Sequence, residues 1–160
     1  MPVKLPLFSK KKSEGELALI KFIIDHFGYR PKSLVNFYLA LSHRSANPGE
    51  DEQSNERLEF LGDAILDAVV AEFLYKKYPG NDEGYLTKLK SKVVNRKNLS
   101  EIGSKMKIRT VLRFSTARNL NVASLEGNAF EALIGAIYLD GGYEKAKNSS
   151  KITYCANTLT

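Results

Sequence analysis

Residues 55–70 read NERLEFLGDAILDAVV, and the spacing of the acids against the aliphatic residues in this stretch decides the fold. Glu56, Glu59 and Asp63 fall at i, i+3 and i+7, so at 3.6 residues per turn they share one face of a helix. Leu58, Leu61, Ile65 and Val69 take the opposite face. Past Asp63 the acidic face turns apolar through Leu66, Val70 and Leu74, so this part of the helix is apolar nearly all round and belongs at the centre of a core. The acids then stand at the mouth of that core. Carboxylates in such a place cost free energy unless Lys, Arg or a cation offsets them. From this helix alone, an acidic face turned to water is the simpler reading.

Working outward, the helix should run from about Asn55 to Tyr78, capped by Ser54 or Asn55 and stopped by Pro79-Gly80. Upstream, Leu17 to Phe27 repeat as a short amphipathic helix from Glu14 that Gly28 and Pro31 end. Leu34 to Ser42 give another, followed by His43, Arg44 and Ser45 and a polar loop through Pro48, Gly49, Asp51 and Gln53. Downstream, helices are expected over Gly84 to Val94, Arg96 to Met106 and Leu125 to Leu139, the last closed by Gly141-Gly142. Strand-like alternation is nowhere sustained and no repeat is present, so the fold class is all-α. One domain over 14–147 follows, with a basic arm at 1–13 carrying Lys10, Lys11 and Lys12, and a polar tail at 148–160 without helical periodicity.

Composition narrows the function classes. The chain has 160 residues, 43% of them apolar and 26% charged, which suits a single globular domain. Lys and Arg outnumber Asp and Glu by 24 to 18, and the net charge of +6 permits a polyanionic partner without requiring one. A single Cys155 forms no internal disulfide, and without CxxC or clustered His a zinc site is not expected. No apolar run approaches the roughly 20 residues that span a bilayer, and Met1 to Lys12 lack a signal-like apolar core. The expectation is a cytoplasmic protein with no membrane association.

Residues 127–142, GNAFEALIGAIYLDGG, change the weight of the acids. Asn128 and Glu131 lie at i, i+3 within an otherwise apolar helix that includes Phe130, Leu133, Ile134 and Ile137. Gly62 and Gly135 each cost a helix about 1 kcal/mol relative to Ala, and both make sense if the two helices cross closely beside these acids. The result would be an oxygen-lined pocket. Oxygen donors without His or Cys select hard cations, and a partly hydrated Mg²⁺ held by a few carboxylates is usual at phosphate-transfer sites. A ferritin-like di-metal bundle needs Glu-x-x-His pairs, which neither His26 nor His43 supplies.

These residues carry a resemblance. NERLEFLGDAIL (55–66) is similar to the signature of ribonuclease III, and FEALIGAIYLDGG (130–142) resembles its second catalytic helix. LALSHRSA (39–46) and DEGYLTKLKSKVV (82–94) resemble the motifs that flank the signature, so the match covers roughly residues 15 to 147. The resemblance implies the helical endonuclease-domain fold, homodimerisation and Mg²⁺- or Mn²⁺-dependent hydrolysis of double-stranded RNA in RNA processing. The product ends would be 5′-phosphate and 3′-hydroxyl. By the same resemblance Glu59, Asp63 and Glu131 are metal ligands, Glu56 is an acid at the site's edge and Phe60 inserts into the partner subunit.

Two departures qualify it. Asn128 stands where the family usually has Asp, so the site loses a negative charge although an amide oxygen still binds Mg²⁺. An inactive, RNA-binding relative is therefore the rival reading. Family members also usually continue into a longer last helix and a separate RNA-binding domain, whereas SSKITYCANTLT (149–160) is polar. Duplex RNA is recognised through shape and backbone, and Lys88, Lys90, Lys92 and Arg96 are the expected phosphate contacts. His43 and Arg44 are expected to pack and pair structurally.

Overall fold

The computed structural model describes residues 12–49 and 53–158, with 151–158 as backbone only. The arm expected at 1–13 lies almost wholly outside the described residues, as do residues 50–52 of the polar loop. Among the described residues, seven α-helices follow in order: α1 (Glu14–Phe27), α2 (Val35–Ala40), α3 (Glu56–Lys77), α4 (Glu83–Val93), α5 (Arg96–Lys105), α6 (Val122–Gly141) and α7 (Tyr143–Thr158). The described residues form no strand, only an isolated bridge between Ser42 and Arg113, as an all-α class requires.

Local chemistry sets the helix ends. Ser13 and Glu16 close a reciprocal capping box on α1: the Ser13 N–H donates to Glu16 Oε2 at 2.7 Å and the Glu16 N–H to Ser13 Oγ at 3.2 Å. Gly28 ends α1 in the left-handed region at φ 61°, donating its N–H to the Ile24 carbonyl. α2 is shorter than the expected span to Ser42. The chain after Ala40 is drawn into extended pairing, with the His43 N–H on the Arg113 carbonyl at 2.9 Å and the Arg113 N–H on the Leu41 carbonyl at 2.8 Å.

Asn55 precedes α3 but does not cap it through its side chain. Its amide nitrogen instead donates to the Ala40 carbonyl at 3.3 Å, tying the signature helix to the end of α2 from a fully buried position.

α6 is the axis of the core: Leu125 to Gly127 and Ala129 to Ile137 are all buried. α3 and α5 lie against it on two sides, and Phe27, Phe37, Leu66 and Ile102 fill the space around Phe130, Leu133 and Ile134. Asp140 at the end of α6 accepts from Tyr29 Oη at 2.7 Å and from the Lys32 and Ser33 N–H groups, which fixes the connection between α1 and α2.

The expectation of a tail without helical character is corrected by α7, which runs through Thr158. Its buried positions, Ala146, Ser149 and Ser150, keep i, i+3, i+4 spacing. The stripe is made of small, weakly hydrophobic residues, so it leaves no hydropathy signal. Glu72 of α3 holds the helix from outside, accepting from Lys147 Nζ at 2.6 Å, Lys76 Nζ at 2.5 Å and Tyr143 Oη at 3.2 Å. These donors keep the Glu72 carboxyl down at about 2. Among the described residues, no helix is long and apolar enough to cross a membrane.

Candidate active site

Two helix crossings build the site. Gly62 of α3 faces the Glu131 backbone carbonyl so closely that a Cβ there would overlap it, and a Cβ on Gly135 would stand 2.5 Å from the Leu58 carbonyl oxygen. The close crossing expected from the two glycines is present. Sequence reasoning missed a second one: a Cβ on Gly103 of α5 would lie 2.6 Å from the Glu126 carbonyl, and one on Gly127 of α6 would lie 3.1 Å from the Ser100 nitrogen. Gly103 and Gly127, both inside helices where glycine is unfavourable, were the available signal. Glu126 is buried beside this contact and accepts from Ser104 Oγ and the Arg109 N–H.

α6 is thus gripped by α3 and α5, and a cavity of about 590 Å³ opens where the three meet. Glu56, Glu59, Phe60 and Asp63 line it from α3, Asn128 and Glu131 from α6, and Arg96, Leu99 and Ser100 from α5. All four expected acids and Asn128 therefore share one space.

Burial divides them. Glu131 is only 8% exposed, and burial first, then the charges of Asp63 and Glu59, push its carboxyl up to about 8 against the pull of Arg96. Asp63 also hydrogen-bonds it. Glu59 is likewise raised, by burial and then by Glu56, while Arg96 and the Asn128 amide draw it down. Glu56 is half exposed at the rim and pairs with Arg44 at 3.3 Å. The pairing expected of Arg44 is there, and His43 Nδ1 meets Ser45 Oγ at 2.8 Å. Ser45 Oγ in turn accepts the Ser115 N–H at 3.0 Å. Burial, and then the charge of Arg44, hold the His43 imidazole below its ordinary pKa.

The basic residues separate. Arg96, itself exposed, lines the cavity, whereas Lys88 and Lys92 are exposed on α4 outside the cavity lining, four residues apart and so on one face. Lys90 turns the other way and pairs with Asp67 of α3 at 2.7 Å. Phe60 is 80% exposed at the cavity edge, an aromatic ring presented to solvent.

A family model described as Ribonuclease-III-like matches residues 35–157. The chain belongs to the ribonuclease III family. It is 44% identical over 143 residues to ribonuclease 3 of Azobacteroides pseudotrichonymphae, covering 88% of this chain and 53% of that one. With ribonuclease 3 of Bacteroides thetaiotaomicron it shares 39% identity over 147 residues, 90% of this chain and 46% of the relative. The chain thus spans about half the length of the curated relatives it matches. Among solved structures, the nuclease domain of ribonuclease III from Campylobacter jejuni superposes with a TM-score of 0.80 at 34% identity, covering 88% of this chain and 99% of that one. That domain is described as structurally flexible in the region involved in dimer formation.

The donor chemistry suits the hard cation that the family implies. Four side chains with oxygen donors, three of them carboxylates, line one cavity, and burial penalises the charge of two of them, Glu59 and Glu131. A proton on Glu131 relieves the repulsion at neutral pH, and a cation would relieve it further. As they stand, no three acidic, His or Cys side chains among the described residues form a ready-made ion site. Loading therefore calls for side-chain rotation or bridging water, as is common for Mg²⁺.

Proposed function

We propose that this chain is the catalytic domain of an endonuclease that hydrolyses phosphodiester bonds in double-stranded RNA, working as a homodimer with Mg²⁺ or Mn²⁺. The observation that carries the reading is the convergence of Glu59 and Asp63 from α3 with Asn128 and Glu131 from α6 in one cavity. Acids held this way without a cation only cost stability.

Glu59, Asp63 and Glu131 hold the cation, with the Asn128 side-chain oxygen as the uncharged donor. Once bound, the ion supplies charge neutralisation at the phosphodiester and lowers the pKa of an attacking water. The protein's own contribution is geometric. The glycine crossings fix Glu131 and Asn128 against Glu59 and Asp63, Glu56 orients RNA or water from the rim, and Arg96, Lys88 and Lys92 meet phosphates. No covalent nucleophile is needed, and release of the 3′ oxygen leaves 5′-phosphate and 3′-hydroxyl ends. Phe60 seats in the partner subunit, so that two cavities cut the two strands.

Incubating the protein with long duplex RNA and Mg²⁺, beside Glu59→Ala and Glu131→Gln, tests the assignment. The protein is expected to cut and both variants to lose cutting by about a hundredfold or more. Duplex binding without cutting at any Mg²⁺ concentration, together with cutting by Asn128→Asp, would instead mark an RNA-binding relative.

A further inference from the structure

Among the described residues, every hydrogen bond of the His43 ring falls on one of its two nitrogens. Nδ1 accepts the Ser45 N–H at 3.2 Å, capping the short turn Arg44–Ala46, and lies 2.8 Å from Ser45 Oγ. A ring nitrogen that receives a backbone N–H carries no proton of its own, so the proton of the neutral imidazole sits on Nε2. Ser45 Oγ, which already accepts the Ser115 N–H at 3.0 Å, is then left to donate to Nδ1 as well. Burial and the charge of Arg44 keep the ring from taking a second proton.

The ring is also held in place. The His43 N–H donates to the Arg113 carbonyl at 2.9 Å, and the buried Ser45 ties the ring to the chain ahead of α6. Nε2 makes no hydrogen bond among the described residues, and it is not sealed in the interior, where Asn55 Oδ1 alone among them lacks a partner. The result is a fixed, uncharged N–H donor open to a ligand. Arg44, the next residue, pairs with Glu56 at 3.3 Å, and Glu56 lines the cavity, so His43 stands just outside the cavity rim. A phosphate suits this place poorly, because it prefers cationic donors, Arg44 is engaged and Glu56 repels it. A ribose 2′-hydroxyl both donates and accepts, and the neutral Nε2–H beside the half-exposed Glu56 carboxylate offers one partner of each kind.

We propose that His43 reads a ribose 2′-hydroxyl beside the cavity, donating from Nε2 to its oxygen, and so helps the domain to tell an RNA strand from a DNA strand. The inference rests on the nuclease reading of the neighbouring cavity and adds to it a contact that carries no charge. A His43 that only packs would, when replaced, slow the cutting of every duplex alike. A His43 that reads one hydroxyl makes the loss specific to one ribose.

The test is single-turnover cleavage, with Mg²⁺ and subsaturating protein, of a duplex RNA cut at one known place and of the same duplex with 2′-deoxy substitutions made one at a time around the cut. The wild type should lose about fivefold at one ribose, the worth of one neutral hydrogen bond. His43→Asn keeps an acceptor for the Ser45 N–H, and Asn caps helical turns well, but its amide stops short of the Nε2 position. It should melt near the wild type, cut the all-ribose duplex about fivefold more slowly and lose the penalty at that one ribose, since two changes that remove one contact do not add. His43→Gln, whose amide nitrogen reaches about as far as Nε2, should keep the penalty. His43→Asn with every wild-type penalty intact overturns this inference alone, and so does a cutting wild type that is indifferent to 2′-deoxy substitution. A wild type that cuts no duplex RNA overturns both it and the reading it rests on.

Discussion

Replacing Gly135 by Ala adds one methyl group and should be among the most damaging single changes in the chain. The new Cβ would stand 2.5 Å from the Leu58 carbonyl oxygen and 3.2 Å from the Gly62 nitrogen. Both are backbone atoms of α3, so no side chain can swing aside and the two helices must part by most of an ångström. Overpacking of this kind costs about 1–3 kcal/mol, sometimes more, while Ala for Gly within a helix returns about 1 kcal/mol. The clash lies at the upper end of that range because backbone meets backbone, which leaves a net loss of about 2 kcal/mol. For a chain of this length that corresponds to a fall in Tm of roughly 4–8 °C.

Function should suffer beyond stability. Parting α3 from α6 moves Glu131 away from Glu59 and Asp63, and a displacement of about 1 Å at a reacting centre can cost about a hundredfold in rate. Gly15→Ala makes the same chemical change in α1 with nothing within 4 Å, and should stabilise by up to about 1 kcal/mol. Thermal melts of both variants, with duplex cleavage at a temperature where each is folded, measure the two effects. Should Gly135→Ala prove as stable as Gly15→Ala, or cut normally, the close crossing would not be what assembles the site.

Asn128→Asp adds a carboxylate beside Glu59, Asp63 and Glu131 and should lower the Mg²⁺ concentration for half-maximal cutting, read from a cleavage titration. In a chelator, Glu131 holds its proton in the folded chain up to about 8 but only to its ordinary value of 4.5 when unfolded. Between those two pH values the folded state binds more protons, so stability falls as pH rises through the window. Melts of Glu131→Gln across this range should lose that slope, and Mg²⁺ should flatten it for the wild type. Among the lysines, Lys88→Gln and Lys92→Gln should each reduce the salt dependence of duplex binding by about one unit of slope. Lys90→Gln, whose charge is engaged by Asp67, should leave the slope nearly unchanged.

The helices and the acids were legible because each is written in a short-range code. Glu56, Glu59 and Asp63 declare a shared face by spacing alone, and Gly62 with Gly135 declares a crossing because glycine in a helix has a cost that only close approach explains. The same code failed for α7. Ala146, Ser149 and Ser150 keep the helical interval, but a stripe of small side chains buries little apolar area per residue, so it escapes a reading based on hydropathy. It failed also for the pairing of Leu41 and His43 with Arg113, whose partner lies about seventy residues away and whose hydrogen bonds run between backbone groups. Long-range backbone pairing leaves no mark on residue type.

The roles of the charged residues depend on direction as well as spacing, which is why Lys90 and Arg96 were grouped with Lys88 and Lys92 and then parted from them. Along α4, alternate residues point to nearly opposite sides, so Lys90 could not share a surface with both neighbours, and Asp67 receives it. Arg96 differs for another reason. It begins a new helix whose seat is fixed by Gly103 and Gly127, so its direction is set by a contact seven residues further on. A charge at a helix start looks the same in sequence whether it faces water or an acid cluster. What distinguishes the two here is the second pair of glycines, which presses α5 onto α6 and brings Arg96 to the cavity of Glu59 and Glu131.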